Sequence, residues 1–144
     1  MILANQRELV AAWVASRIKD MGEPPQKDYE AIGVLNDKGE IIGGVIYAEY
    51  REIAPGQHDI RMHCAGEPGW LTKKTLRLFF EYPFKQLSCV RVTATVAKAN
   101  KRARNLNERL GFKIEGCIKD GYGIGKDGLL LGTTRRDCRW IKEN

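Results

Sequence analysis

The run from Arg91 to Gly116, "RVTATVAKANKRARNLNERLGFKIEG", changes its hydrophobic period twice without a break. Val92, Ala94 and Val96 alternate with Arg91, Thr93 and Thr95, the period of a strand. After Asn100 the spacing lengthens, and Ala103, Leu106 and Leu110 fall on one helical stripe. Asn100 is a sound N-cap, Gly111 a sound left-handed terminator, and Phe112 opens a new strand. A strand, a capped helix and a second strand in one stretch require a helix packed on a sheet, hence a mixed α/β fold. The helix is also strongly basic. Lys101, Arg102, Arg104 and Arg109 point largely away from the stripe, while Asn107 sits on it. Taken alone, this is an amphipathic helix with a solvated basic face.

Elsewhere the patterns are those of one domain spanning residues 1–144, large enough to bury a core. Residues 5–21 form a broad helical face, with Asn5 as expected cap and Glu8 as its capping-box partner. Two β-rich runs, "YEAIGVL" and "EIIGGVIYAEY", flank "NDKG", a hairpin signal, and "HDIRMHC" alternates as a third strand. "LTKKTLRLFFEYPFKQL" has helical spacing, with Pro83 bending or shortening its last turn. "KDGYGIGKDG" has neither a following helix nor a GK[ST] ending, so it is expected to be a flexible hairpin loop and not a phosphate loop. "LLLGTTRRDCRWI" is expected as a closing edge strand with solvated arginines, giving the order α-β-β-β-α-β-α-β-β.

The net charge of +6 favours an anionic partner, nucleic acid or a phosphate-bearing cofactor. No helix-turn-helix, RRM or zinc pattern supports nucleic acid. No apolar run reaches the ~18 residues of a membrane span. "MILANQRELVAAW" gains charge too early for a secretory leader, and Cys64, Cys89, Cys117 and Cys138 form no CxxC pair. A cytoplasmic chain with reduced thiols is expected. With only His58 and His63 present, no metal site is expected.

The 91–116 run resembles the second half of the GNAT superfamily of acetyl-CoA-dependent N-acetyltransferases. Its Asn-x-x-Ala helix start, Leu-Gly-Phe exit and following Glu-Gly match that family's pattern. "TLRLFFEYPFKQLSCVRV" resembles the family's preceding helix, down to its Y-x-F. With the upstream hairpin and closing strand, the likeness covers residues 30–141. It is nearest the ribosomal-protein-acetylating branch and the short bacterial and phage forms. The resemblance implies a central, mostly antiparallel mixed sheet, flanked by helices, whose fourth and fifth strands splay apart.

It also implies sites. The family's pyrophosphate turn falls on "EPGWLT", where Glu67 replaces Gln or Arg, Trp70 and Thr72 replace two glycines, and Pro68 lacks an amide. Gly69, Trp70, Leu71, Thr72, Lys73 and Lys74 would still offer amides, a hydroxyl or charge to phosphate, although a Trp side chain there is expected to narrow the approach. On "DIRMHCA", the expected fourth strand, Met62 and Cys64 would offer backbone groups to the pantetheine arm of acetyl-CoA. Asn100 matches a family asparagine that contacts that arm, or is a plain N-cap. Lys101, Arg102 and Arg104 lie where the 3′-phosphate end falls.

Acetyl transfer to an amine needs a base for the ammonium and an acid or donor for the leaving thiolate. The family's acidic Tyr falls at Asn107, which is either a site residue or a satisfied core Asn; an amide supplies no proton at neutral pH. For the base we favour His63, which shares a polar strand face with Arg61; a structural histidine is the alternative, and Glu49, Glu52 and Glu67 are lesser candidates. The expected partners are acetyl-CoA and an amine acceptor, small molecule or protein, with a homodimer allowed. The alternative function is a catalytically weak GNAT-fold protein that binds CoA or a macromolecule.

Overall fold

The strand–helix–strand run folds as its periods require, into β5 (Cys89–Ala97), α3 (Lys101–Leu110) and β6 (Lys113–Ile118). Asn100 Oδ1 accepts the Ala103 N–H at 3.1 Å, and Gly111 ends α3 at φ +98°. The structure is a computed structural model that describes residues 1–142. Its other elements are β1 (Ile2–Leu3), α1 (Arg7–Arg17), β2 (Tyr29–Leu35), β3 (Ile41–Ala54), β4 (Gln57–Gly66), α2 (Lys73–Glu81) and β7 (Gly128–Thr134). They build one sheet in the order β1-β2-β3-β4-β5-β7-β6. Every neighbouring pair is antiparallel except β4 with β5, whose parallel pairing is made by the α2 crossover. No helix among the described residues is long and apolar enough to cross a membrane.

Strand alternation puts a core on each face. Val45, Tyr47, Ile60, Met62, Val92 and Val96 pack with Phe79, Phe80 and Leu110 under α2 and α3. Ala31, Ile46 and Ala48 point the other way, against Val10 and Val14 of α1. Tyr47, fully buried, donates its hydroxyl to the Phe79 carbonyl at 2.6 Å, so the ring stands in the core with its polar end satisfied. At the end of α2, Pro83 has no N–H to continue the ladder. The chain widens into a single π turn over Tyr82–Gln86, closed by the Leu87 N–H on the Tyr82 carbonyl.

The feature that positions the site is the incomplete pairing of β4 and β5. They pair from His58↔Cys89 to Arg61↔Thr93 and then separate. Beyond that point Met62–Gly66 pair only with β3, and Ala94–Ala97 only with β7. The root of the split is tied by Asp59, which is 3% exposed. Its Oδ1 accepts from Thr93 Oγ1 at 2.8 Å, and Arg91 and Arg51 each bring an Nε to 3.5 Å. Arg91 continues to Glu115 at 2.7 Å, so one buried carboxylate joins β3, β4, β5 and β6. A buried charge held by two guanidiniums and a hydroxyl is paired as burial demands.

Several expectations fail. The two-residue β1 precedes α1 and pairs with β2. Helix α1 starts at Arg7 after Gln6, with no side-chain cap, so Asn5 and Glu8 form no capping box. Strand β3 is longer than its "EIIGGVIYAEY" run, because it goes on to Ala54 and turns directly into β4. β7 stops at Thr134 and lies inside the sheet; the edge strand on that side is β6. Thr134 ends it by donating its hydroxyl to Asp137 Oδ2 and accepting the Cys138 N–H. The tail then folds back, burying Cys138 and Ile141 and placing Trp140 Nε1 on the Leu110 carbonyl at 2.8 Å.

Candidate active site

His63 pairs with Ile46 in register and so shares the α1 face of β4 with Arg61, opposite Met62 and Cys64. Its imidazole borders two cavities, one of about 950 Å³ and one of about 180 Å³. Burial pushes its pKa below the ordinary 6.5, the neighbouring Arg61 pushes the same way, and Glu49 pulls it partly back. A neutral imidazole at pH 7 is therefore favoured, the state a base needs. Glu49 reaches this site because β3 breaks register between Ala48 and Arg51. Its backbone sits at φ +55°, and its Oε2 lies 3.3 Å from Arg61 Nε. A non-glycine residue in that region at a bulge beside a cleft is strain spent on aiming a side chain.

The smaller cavity occupies the split between β4 and β5. Met62, Cys64 and the Ala94–Ala97 edge form its sides. On one face it is walled by Asn100, Ala103 and Asn107 of the α3 region, on the other by Ile18, Asp20 and Met21 after α1, with Tyr122 from the β6–β7 loop. Asn107 is 7% exposed and donates Nδ2 to the Ala103 carbonyl at 2.8 Å. It is thus both a satisfied helix residue and part of the wall. Cys64 lies in the wall with its thiol pushed up by burial to about 12. Such a thiol carries almost no thiolate near neutrality and is a poor nucleophile.

The turn before α2 differs from what its residue types suggest. Trp70 does not narrow it. The indole is 4% exposed and turned into the core, flat on Gly43 and Gly66 and 5.7 Å from the Phe79 ring. The Trp70 backbone N–H donates to the Glu67 carbonyl. Thr72 caps α2 in a reciprocal capping box: Oγ1 accepts from the Thr75 N–H, and the Thr72 N–H donates to Thr75 Oγ1 at 2.8 Å. The N–H groups of Gly69, Leu71, Lys73 and Lys74 donate to no described residue, and the side chains of Lys73 and Lys74 are exposed. That is an anion-receiving helix start in chemistry, with Trp70 and Thr72 as its frame. At α3, Lys101 and Arg102 are exposed, and Arg104 donates to the Lys98 carbonyl at 3.2 Å.

Of the larger cavity's walls, sequence reasoning named His63 and Glu49 and missed the rest. Glu23, Asp28, Glu30 and Glu49 line it with a single lysine, Lys27. The carboxylates are spread over a loop and two strands, so no local charge run announces them. It also missed Tyr122, whose one signal was an aromatic residue among glycines.

No protein-family model matches the sequence, and no curated protein sequence does. Solved structures do match. The ribosomal-protein-S5-alanine acetyltransferase from Vibrio fischeri aligns at 18% identity and TM-score 0.59, covering 77% of this chain and 64% of that one. A probable acetyltransferase aligns at 22% identity and TM-score 0.60, covering 76% and 62%. This chain therefore spans less than two thirds of either protein. The spermidine N-acetyltransferase from Vibrio cholerae, solved in complex with CoA and spermine, aligns at 17% identity and TM-score 0.68, covering 99% and 98%. The sheet order, the split between β4 and β5 and these neighbours together show that the chain has the GNAT fold.

Proposed function

We propose that this chain is an N-acetyltransferase that moves an acetyl group from acetyl-CoA to a primary amine by direct attack in a ternary complex. The observation that carries the reading is the position of His63, on the wall shared by the cavity in the sheet split and the larger acidic cavity. Acetyl-CoA, when bound, supplies the activated acetyl group. The backbone edge at Met62 and Cys64 and the Asn100 side chain would hold its pantetheine arm. The amides of Gly69, Leu71, Lys73 and Lys74, with Lys101, Arg102 and Arg104, offer donors and charge for its phosphates. His63 takes the proton from the incoming ammonium, and Asn107 hydrogen-bonds within the cavity. The inert Cys64 thiol argues for direct attack over transfer through an acyl-cysteine.

The acceptor would enter through the larger cavity. Four carboxylates against one lysine make that cavity anionic in a chain of net charge +6, which suits a cationic amine and disfavours an acidic one. The neighbour crystallised with CoA and spermine is in keeping with this. Free thiols and acetyl-CoA use fit a cytoplasmic location. A second reading, a protein that binds CoA but turns over poorly, is favoured by Asn107 alone, which carries no acidic proton. Thermal shift with acetyl-CoA and CoA, followed by thiol release with a panel of mono-, di- and polyamines, separates the two. Stabilisation together with amine-dependent CoA release supports the transferase; stabilisation without release supports the second reading. No stabilisation by either CoA species refutes both.

A further inference from the structure

We infer that Tyr122, in the loop between β6 and β7, is the proton donor to the departing thiolate, in the role for which Asn107 has no proton. This rests on the acetyltransferase reading above. The tyrosine is not loosely carried. Asp127 Oδ1 accepts the Asp120 N–H at 3.0 Å, and Asp120 Oδ1 accepts the Gly125 N–H at 2.9 Å. The Tyr122 N–H donates to the Lys126 carbonyl, and the loop's far end is pinned by the Lys98 N–H on the Asp127 carbonyl. The expectation of a flexible hairpin loop gives way to a turn held by its own aspartates. The ring then lies over Gly128, where a Cβ would come within 3.0 Å of it. Its Oη reaches Thr95 Oγ1 at 3.4 Å, on the unpaired edge of β5.

This places a phenol in the wall of the same small cavity as His63, Cys64 and Asn107. Of those groups, the Asn107 amide is not acidic, the Cys64 thiol is held up by burial, and His63 is occupied as base. A phenol holds its proton at neutral pH yet can yield it to a thiolate of comparable basicity. In the transfer, the amine nitrogen bonds to the acetyl carbon and the carbon–sulfur bond breaks with its electron pair left on sulfur. The Tyr122 hydroxyl gives that sulfur its proton. The attacking nitrogen gives its second proton to solvent as the amide forms. The phenolate is restored through solvent by the proton His63 took from the ammonium, so the balance closes with free CoA thiol, an amide and one proton released.

The test is Tyr122→Phe, which removes one hydroxyl and keeps the ring over Gly128. The expected result is a kcat about 100-fold lower, within the range of general acids, with KM for acetyl-CoA unchanged within about twofold. An equilibrium measurement accompanies it: titration calorimetry with CoA and with desulfo-CoA. The wild type should prefer CoA by about 2- to 10-fold, the worth of one hydrogen bond to sulfur, and Tyr122→Phe should bind both equally. A kcat within about twofold of wild type overturns the inference. So does a lowered kcat with the CoA preference intact, which would mean the ring only shapes the cavity, and so does a wild type with no such preference. Failure of the wild type to acetylate any amine removes the transferase reading and this inference with it; turnover that ignores Tyr122 removes this inference alone.

Discussion

Gly66→Ala tests how the core sets the turn before α2. A Cβ built on Gly66 stands 2.3 Å from three atoms of the Trp70 ring, against ordinary contacts of 3.4–4 Å, so ring or backbone must move by about an ångström. The ring lies flat over Gly66 and its cross-strand partner Gly43, whose Cβ position is 2.4 Å from Trp70 Cε3, and the Phe79 ring packs beside it at 5.7 Å. Gly66 is not in the left-handed region, so the backbone itself accepts alanine and the cost is overpacking alone. That cost is typically ~1–3 kcal/mol, and an overlap with three atoms of a core indole puts it near ~3. With an unfolding entropy of about 2.1 cal/mol/K per residue, 144 residues give ~0.3 kcal/mol/K, so Tm should fall by about 10 °C. Because Trp70 lies between Gly69 and Leu71, CoA affinity should also fall several-fold as the turn shifts. Gly116→Ala is the internal control, since its Cβ meets nothing within 4 Å and Gly116 has no positive φ. Thermal denaturation and CoA titration on both variants decide the matter. If Gly66→Ala and Gly116→Ala melt within about 2 °C of each other, the packing account is wrong.

Two further variants probe the proposed chemistry. His63→Gln should lower kcat by about 100-fold or more with CoA binding retained; because the wild-type imidazole is pushed below 6.5, the acid limb of the wild-type profile should lie below that value, and Arg61→Ala, which removes a cation, should move it upward. An unmoved limb would show that another group is the base. The double variant Lys73→Ala, Arg102→Ala should weaken CoA binding about tenfold and flatten its salt dependence, read by calorimetry at two ionic strengths; unchanged affinity would put the phosphates elsewhere.

How much of this could be read from the chain depends on how local each cause is. The β5–α3–β6 run is legible because period, N-cap and left-handed terminator all lie within it. His63 is legible for the same reason: alternation along "HDIRMHC" alone assigns it to the face of Arg61. Trp70 is misleading because its direction is decided by Gly43 on another strand and by Gly66, neither of which belongs to the turn motif. β1 has two residues and so no period to detect, and β7 looks like an edge because Arg135 and Arg136 follow it, although they lie past its last pair. Asn107 is half legible; its place on the stripe is local, but the cavity it faces is made by β4, β5 and α1 together. Tyr122 shows only as an aromatic among glycines, since where its ring points is decided by hydrogen bonds of Asp120 and Asp127 and by the space over Gly128, none of which has a period or a motif.

A strand edge is ordinarily a peripheral thing, defended by charge, brevity or a covering element because another strand could add to it. This sheet has two edges in its middle, at Met62–Gly66 and Ala94–Ala97. They face each other without pairing, and α3 and the β6–β7 loop flank them. A folded neighbour's strand cannot enter so enclosed a place, whereas a thin flexible chain bearing its own amides can. The exposed periphery, by contrast, is left to the two-residue β1 and the short strand β6 with its lysine and glutamate. The fold has therefore moved its stickiest backbone from the surface, where it would recruit copies of itself, to an interior slot whose width selects what may be added.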